Sequence, residues 1–313
     1  MIQTIKVVIF ATLVGLVFNS CFCEDNQELS KEKIFQIFEG KAKELNLPLV
    51  NTNKIRYSTF STQTSVYHKK AWNVGCLHCG ITMDITTDSG RIIDLFTNAN
   101  FRKIDETTYT EEPKPTKSQE DMVKEAERYI TIINGSFPKN VCFSEAKFIP
   151  DTAGLKSGYY HDGSWTVVWH RVEGEYKYLW DYISLGIHEK YGLDAYHYEL
   201  FSEYHPPKQI NLSKEKAISI AKKNINKIMR SPMVGGWYEG YKAGEIKSAE
   251  LMIVNPNYVH IPRKDYSPTP QPYARLAWVI HFTSIEKETN KEGMLSTSMI
   301  WIDAETGEVL GGG

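Results

Sequence analysis

The sequence lacks the charge and the motifs of a nucleic-acid-binding or nucleotide-using protein. Its 36 basic residues are balanced by 38 acidic ones, and the net charge of −2 leaves no basic excess to hold a phosphate backbone. It has no phosphate-binding glycine loop, no GxGxxG after a predicted strand and no GxSxG of the lipase type. No set of nucleophile, base and orienting group can be assembled from its motifs. We therefore expect a protein that is not an enzyme, uses no cofactor and binds no nucleic acid.

Long apolar runs are also absent, except at the N-terminus. Residues 1–23 are predicted to be a signal peptide, because the apolar run 7–18 is too short for a comfortable membrane span. Cleavage after Cys23 would release the chain, whereas a lipid on Cys21 would tether it. Asn19 is neither small nor apolar, which disfavours lipidation. We expect an exported chain, extracellular or periplasmic, without a membrane span after processing. Tethering through Cys21 is the alternative.

Cysteine is scarce, and only three of the five cysteines follow the predicted signal peptide. Two of them belong to the motif Cys76-Leu77-His78-Cys79-Gly80, which resembles half of a zinc knuckle without its second half. A thioredoxin-type site would begin a helix at its first cysteine, but a predicted strand follows this motif. In an oxidising compartment a local disulfide between Cys76 and Cys79 is the simplest expectation. Metal binding or thiol redox chemistry at the same four residues, 76–79, is the alternative function.

Three polar turns of one design lie between apolar segments. Each has an isoleucine five residues before a glycine that can take a positive φ and close a hairpin. In the last turn, Asp303 can also accept hydrogen bonds from the backbone ahead of it. Repetition of the same turn predicts an internal repeat. The three glycines are Gly90, Gly192 and Gly307.

An amphipathic segment that opens with serine precedes each turn. Apolar residues recur every three or four positions, which predicts a helix with one buried face. A serine N-cap followed by acidic residues satisfies free N–H groups and suits the helix dipole. The predicted helices lie near 30–46, 118–134 and 213–230, with Ser30, Ser118 and Ser213 as caps.

The combined pattern predicts an α+β protein of tandem repeats, in each of which one α-helix packs on an antiparallel β-sheet. Polar, proline-containing segments at 107–117 and 204–208 separate the units. We expect a degenerate copy at 24–106, a second copy at 117–205 and the best-defined copy at 210–313.

Three segments of the last copy resemble the PepSY domain, a unit of exported bacterial proteins and of protease propeptides. They are LSKEKAISIA at 212–221, RLAWV at 275–279 and WIDAETGEV at 301–309. The second copy, with WHR at 169–171 and DYISLGI at 181–187, is similar to the tandem units of YcdB/YcdC-type repeated-domain proteins. The resemblance implies PepSY or cystatin-like units and a binding role, with a peptidase as a candidate partner. It supplies no catalytic residue.

A glycine-rich insertion at 235–240 is the predicted partner contact of the last copy. Trp237, Tyr238 and Tyr241 combine aromatic anchors with flexible backbone, and aromatic residues dominate interface energetics. A loop that folds back on its own sheet is the alternative. The predicted function is an exported, non-catalytic PepSY-type binding module that inhibits a peptidase or contacts an envelope protein.

Overall fold

Three helices occupy the positions that apolar periodicity predicts. The computed structural model describes residues 28–47, 55–61, 70–76, 80–97, 108–109, 112–150, 159–160, 163–229, 241–261, 273–286 and 298–313. Its helices are α1 (Lys31–Glu44), α2 (Gln119–Asn134) and α3 (Lys214–Met229). All three predicted helices are therefore confirmed. None of the described helices combines the length and the hydropathy that a membrane crossing requires.

Strands make up most of the rest of the described chain. They are β1 (Ile55–Ser61), β2 (Lys70–Cys76), β3 (Ile81–Thr86), β4 (Ile92–Thr97), β5 (Thr108–Tyr109), β6 (Val141–Pro150), β7 (Tyr159–Tyr160), β8 (Gly163–Glu173), β9 (Tyr176–His188), β10 (Gly192–Glu199), β11 (Glu203–His205), β12 (Tyr241–Val254), β13 (Tyr273–Glu286), β14 (Ser298–Asp303) and β15 (Val309–Gly312).

Serine side chains begin all three helices, as predicted. The Oγ of Ser30 accepts the backbone N–H three residues on at 3.3 Å, that of Ser118 does so at 3.1 Å and that of Ser213 at 3.4 Å. Each bond satisfies one of the N–H groups that a helix start leaves free. The helix boundaries are thus set by residues within one turn of them.

The strands form one sheet of 13 strands, apart from the short β5–β7 pair. The chain after each helix contains a set of four strands, each of which pairs antiparallel with the next strand of its set. These sets are β1–β2–β3–β4, β6–β8–β9–β10 and β12–β13–β14–β15. The α+β class is therefore as predicted.

The sheet corrects the prediction in two respects. It is mixed and not purely antiparallel, because β9 pairs parallel with β12 and β11 pairs parallel with β13. Its strand sets are also joined, because β4 pairs with β10 through Asp94 opposite His197. Separate four-stranded sheets would leave unpaired backbone groups on β4, on β10 and on the part of β9 that extends beyond β10, and pairing satisfies them.

The three predicted turn glycines all take the left-handed conformation. The φ angles are 69° at Gly90, 81° at Gly192 and 77° at Gly307. In the last turn Asp303 Oδ1 accepts the backbone N–H groups of Glu305 at 3.0 Å and Thr306 at 2.7 Å. Both parts of the turn prediction are confirmed.

Two helices share one hydrophobic core and the third has its own. Phe38 of α1 and Ile130 of α2 are fully buried in one cluster with residues of β2–β4 and β8–β10. Lys41 Nζ also donates to the carbonyl of Ile132 at 2.7 Å, so α1 and α2 touch directly. The cluster that contains Ala221 of α3 draws on β12, β13 and β14.

A buried polar network fixes the chain between β10 and β11 against the end of β12. Asp181 accepts the backbone N–H of Ser202 at 2.9 Å, the hydroxyl of Ser202, and Arg171 Nη1 at 3.1 Å. The Oγ of Ser202 lies 3.0 Å from Oδ1 of Asn255, which follows β12. Burial raises the pKa of the Asp181 carboxyl, while its hydrogen bonds with Ser202 and Arg171 act in the opposite direction. The network explains how a charged pair is accommodated at 1% exposure of the carboxylate.

Candidate functional site

The structure places only one residue of the predicted cysteine motif. Cys76 is the last residue of β2, is fully buried and is disulfide-bonded. Residues 77–79, including the proposed partner Cys79, lie outside the described residues, so the pairing stays a prediction. A sulfur in a disulfide offers no thiolate to a metal. Cys142, on β6, is a free thiol.

The predicted aromatic contact also falls largely outside the described part of the chain. Trp237 and Tyr238 lie there entirely. Tyr241 begins β12, and its backbone pairs with Glu286 of β13. The partner contact at these three aromatic residues therefore stays a prediction.

A row of polar residues crosses the face of the sheet that carries no helix. Asn73, Asp84, Asp94 and His197 stand opposite one another on the adjacent strands β2, β3, β4 and β10. Alternation along a strand places their neighbours, such as the fully buried Tyr196, in the core under α1 and α2. The row is therefore directed away from the helices.

His197 is held between two carboxylates in this row. Its Nδ1 lies 2.7 Å from Asp94 Oδ1, and its Nε2 lies 3.3 Å from Glu199 Oε2. Burial acts to lower the pKa of the imidazole, but the hydrogen bonds and charges of Asp94 and Glu199 outweigh it and raise the pKa to about 9. The ring is thus a cation at neutral pH, with both nitrogens donating.

At Asp84 the effect of burial on the pKa outweighs that of the hydrogen bond, whereas at His197 the hydrogen bonds and charges outweigh burial. Burial raises the pKa of its carboxyl to about 6, against the 2.6 Å hydrogen bond from Asn73 Nδ2, and the charge of Asp94 adds to the increase. This carboxyl and the neighbouring imidazolium respond to different pH ranges.

The row does not assemble a catalytic group. A histidine whose two nitrogens both donate to carboxylates cannot accept a proton from a substrate at neutral pH. Among the described residues no set of three or more His, Cys, Asp or Glu has the geometry of a metal site. The arrangement suits charged recognition on a sheet face. Sequence reasoning missed it because Asp94 and His197 are 103 residues apart.

The strand β6 offers a second surface, at an edge of the sheet. Within the described part of the chain it pairs only with β8. Its Phe143 and Ile149 side chains are 42% and 49% exposed. A bulge after Phe143 interrupts the ladder, and pairing is regular from Glu145 to Pro150. An open edge of this kind can hydrogen-bond an extended segment.

Comparisons with known proteins find distant similarity in fold only. No protein-family model and no curated protein match the chain. A solved structure of the Bacillus megaterium YpeB C-terminal domain aligns at 14% identity and a TM-score of 0.41, over 92% of this chain and 98% of that one. An uncharacterized protein from Eubacterium rectale aligns at 14% identity and a TM-score of 0.42, over 90% and 82%. Neither likeness supports a statement about activity.

Proposed function

We propose that this chain is an exported, non-catalytic binding module of PepSY type that holds an extended segment of a partner protein along β6. The partner is a peptidase, which the module inhibits, or an envelope protein. The observation that carries the proposal is the outer edge of β6, which no described strand covers and which has two large, partly exposed apolar side chains, Phe143 and Ile149. Export is inferred from the signal-peptide pattern of residues 1–23.

The regular half of β6 has the features of a strand-addition site. Between Glu145 and Ile149 the strand pairs with β8 without a shift in register, so the backbone groups on its outer side are regularly spaced. Phe143 packs edge-on against Trp169 at 6.0 Å and remains partly exposed, which gives a partner side chain a rigid aromatic surface. Main-chain bonds would supply affinity and these apolar contacts selectivity.

A repeated anchor between helix and hairpin supports tandem units. The residue before each serine cap donates its N–H to the residue three positions before the turn glycine. Leu29 donates to the Thr87 carbonyl at 2.8 Å and Leu212 to the Ala304 carbonyl at 3.0 Å. In the middle unit Lys117 donates at 3.1 Å to the side chain of Glu189. We infer three helix-plus-meander repeats whose sheets have merged.

Peptidase inhibition tests the proposal directly. Full-length protein is mixed with a thermolysin-like peptidase, and cleavage of a fluorogenic peptide is followed. We expect inhibition by the wild type and its loss in the double variant Phe143→Ala/Ile149→Ala. The matched control is Phe96→Ala, because Phe96 is 55% exposed on β4, which is paired on both sides.

The envelope alternative uses the same variants in affinity capture from envelope extract, followed by quantitative mass spectrometry. Equal recovery of a partner by the wild type and the β6 double variant would exclude the edge. Peptide-bond cleavage by the purified protein that survives chelation would refute the non-catalytic role. Trp237→Ala and Tyr241→Ala, run in parallel, test the predicted aromatic contact.

A further inference from the structure

The exposed side chains of β6 are ordered so that the strand is complementary to a second copy of itself. β6 is the outer strand of its set and pairs, among the described strands, only with β8. From Glu145 to Pro150 this pairing has no register shift. Within that segment Glu145 and Lys147 are both exposed, and one small residue, Ala146, separates them. The order of acid, small residue and base restricts how two copies of the strand can pair.

Glu145 and Lys147 project from the same face of the sheet. Ala146, between them, stands opposite Val167 of β8. Val167 is fully buried in the cluster under α1 and α2, and Ala146 packs against that cluster. Because successive side chains of a strand alternate between faces, both charges lie on the face that carries no helix.

Two copies can join their β6 edges about a two-fold axis perpendicular to the sheet, which makes the two β6 strands antiparallel. Such an axis keeps the helix-bearing faces of both copies on the same side, so residues that pair across it must belong to the same face. If the axis passes at Ala146, Glu145 of each copy stands opposite Lys147 of the other. Two cross-strand pairs of opposite charge then form, and such pairs stabilise a sheet.

The nearest alternative registers are unfavourable. A slip of the pairing by one residue would place residues of one face opposite residues of the other. An axis at Glu145 would bring the two Glu145 carboxylates together, and an axis at Lys147 would do the same for the two ammonium groups. Like charges directly opposite each other are destabilising. The sequence of the strand therefore favours the register with its axis at Ala146.

The same register brings the exposed apolar side chains of β6 to the second copy. Phe143 and Ile149 each lie three residues from Ala146, on opposite sides of it, and are 42% and 49% exposed. The bulge after Phe143 and the missing N–H of Pro150 end the regular ladder. The contact is thus short, and we expect a dissociation constant in the micromolar range, at the weak end for specific interfaces.

We propose that β6 pairs with β6 of a second copy of this chain, in a two-fold dimer whose axis passes at Ala146. The dimer depends on the β6 edge alone and needs no foreign partner, so it goes beyond the proposed function. It occupies the edge that the proposed function gives to a partner segment, which must displace the second copy. Partner capture should therefore become less effective when the protein concentration exceeds the dissociation constant of the dimer.

Sedimentation equilibrium of the full chain and of charge variants tests the register. We expect the wild type to dimerise with rising concentration. Glu145→Lys and Lys147→Glu each create two like-charge pairs across the axis, and each should weaken association about 10-fold or more. The exchange variant Glu145→Lys/Lys147→Glu restores both opposite-charge pairs, so it is the matched control and should dimerise like the wild type. An equimolar mixture of the two single variants should also associate, because every charge pair across the axis is then of opposite sign.

A cross-link tests the position of the axis. Ala146→Cys places two thiols opposite each other, with their Cβ atoms about 5 Å apart, and this variant should form an intermolecular disulfide through position 146 on oxidation. The free Cys142 is the control, because it lies four residues from the axis in each copy. The two Cys142 thiols should then be more than about 20 Å apart and should not join.

A wild type that stays monomeric up to millimolar concentration would refute the dimer. Equal association of the wild type and both single variants, or a mixture of the single variants that associates no better than each alone, would refute the register. Peptidase inhibition separates this inference from the proposed function. A dimer that does not inhibit would count against the proposed function alone, and a monomer that inhibits would count against the dimer alone.

Discussion

The turn glycines Gly90 and Gly307 allow one prediction to be worked out from matched positions. Both have a left-handed φ, and both face the helix of their own strand set. A Cβ built on Gly90 would lie 2.6 Å from Ile37 Cδ1 and 3.0 Å from Leu29 Cδ1, whereas one on Gly307 would lie 3.4 Å from Ile220 Cδ1 and 3.7 Å from Leu212 Cδ1. Substitution by alanine should therefore cost the same backbone free energy at both positions, and an additional steric free energy only at Gly90.

The magnitudes follow from these distances. Alanine in a left-handed conformation costs about 1 kcal/mol relative to glycine. Gly307→Ala should destabilise by about this amount, because its contacts are ordinary. Gly90→Ala should cost roughly 1–2 kcal/mol, more than Gly307→Ala, because the terminal methyl groups of the partly buried Ile37 and Leu29 must also move aside. Gly307→Val should cost about 1 kcal/mol or more, since a β-branched residue resists this backbone region.

Urea unfolding followed by circular dichroism measures the differences. The m-value must stay constant among the variants, so that the same transition is compared. Gly174→Ala is the control for backbone cost alone, because φ is 59° there and no atom lies within 4 Å of the built Cβ. Equal destabilisation by Gly90→Ala and Gly174→Ala would refute the steric argument.

Three further predictions concern charge and sulfur. The raised pKa of His197 stabilises the fold fully below about pH 6.5, and this stabilisation is lost above about pH 9. The free energy of unfolding of the wild type should therefore exceed that of His197→Gln by roughly 2 kcal/mol at low pH, after allowance for solvent screening, and the difference should disappear over that pH range. Urea titrations at several pH values measure it, and a difference that is constant with pH would contradict the argument. Asp181→Ala should lower the free energy of unfolding by about 3–5 kcal/mol, because it leaves the charge of Arg171 without its carboxylate partner, and Asp181→Asn should lower it clearly less. Thermal unfolding measures both, and equal losses of stability would exclude the charge-pair argument. Under non-reducing denaturation, alkylation and mass spectrometry should label Cys142 and leave Cys76 unlabelled; label on Cys76 would count against the disulfide.

The helices could be predicted from the sequence, whereas the row of polar residues that includes Asp94 and His197 could not. Ser118 and its neighbours begin α2 through a hydrogen bond that spans three residues, and Gly192 closes its hairpin through its own backbone freedom. Such features depend on side chains within about one turn, so composition and spacing predict them. The α+β class and all three helices follow from these local rules.

The union of the strands into one mixed sheet was decided by tertiary structure. The parallel pairing of Lys177 with Met252 and the antiparallel pairing of Asp94 with His197 join strands that have no pattern in common. Outer strands of meanders, and strand ends that extend beyond their neighbours, carry unpaired backbone groups, and which of them meet depends on how the cores pack. Sequence periodicity contains no information on that choice.

The charged row around His197 and the β6 edge both depend on contacts between residues that are far apart in the sequence. The sequence by itself determined where helices start and hairpins turn, because those choices are made by neighbouring residues. Tertiary structure alone brought Arg91 to Tyr198, which is 107 residues away, and set His197 between carboxylates of two strands. It also left β6 at an edge. Contacts at such separations are fixed by strand pairing and by helix packing, so they exist only once the whole sheet has formed.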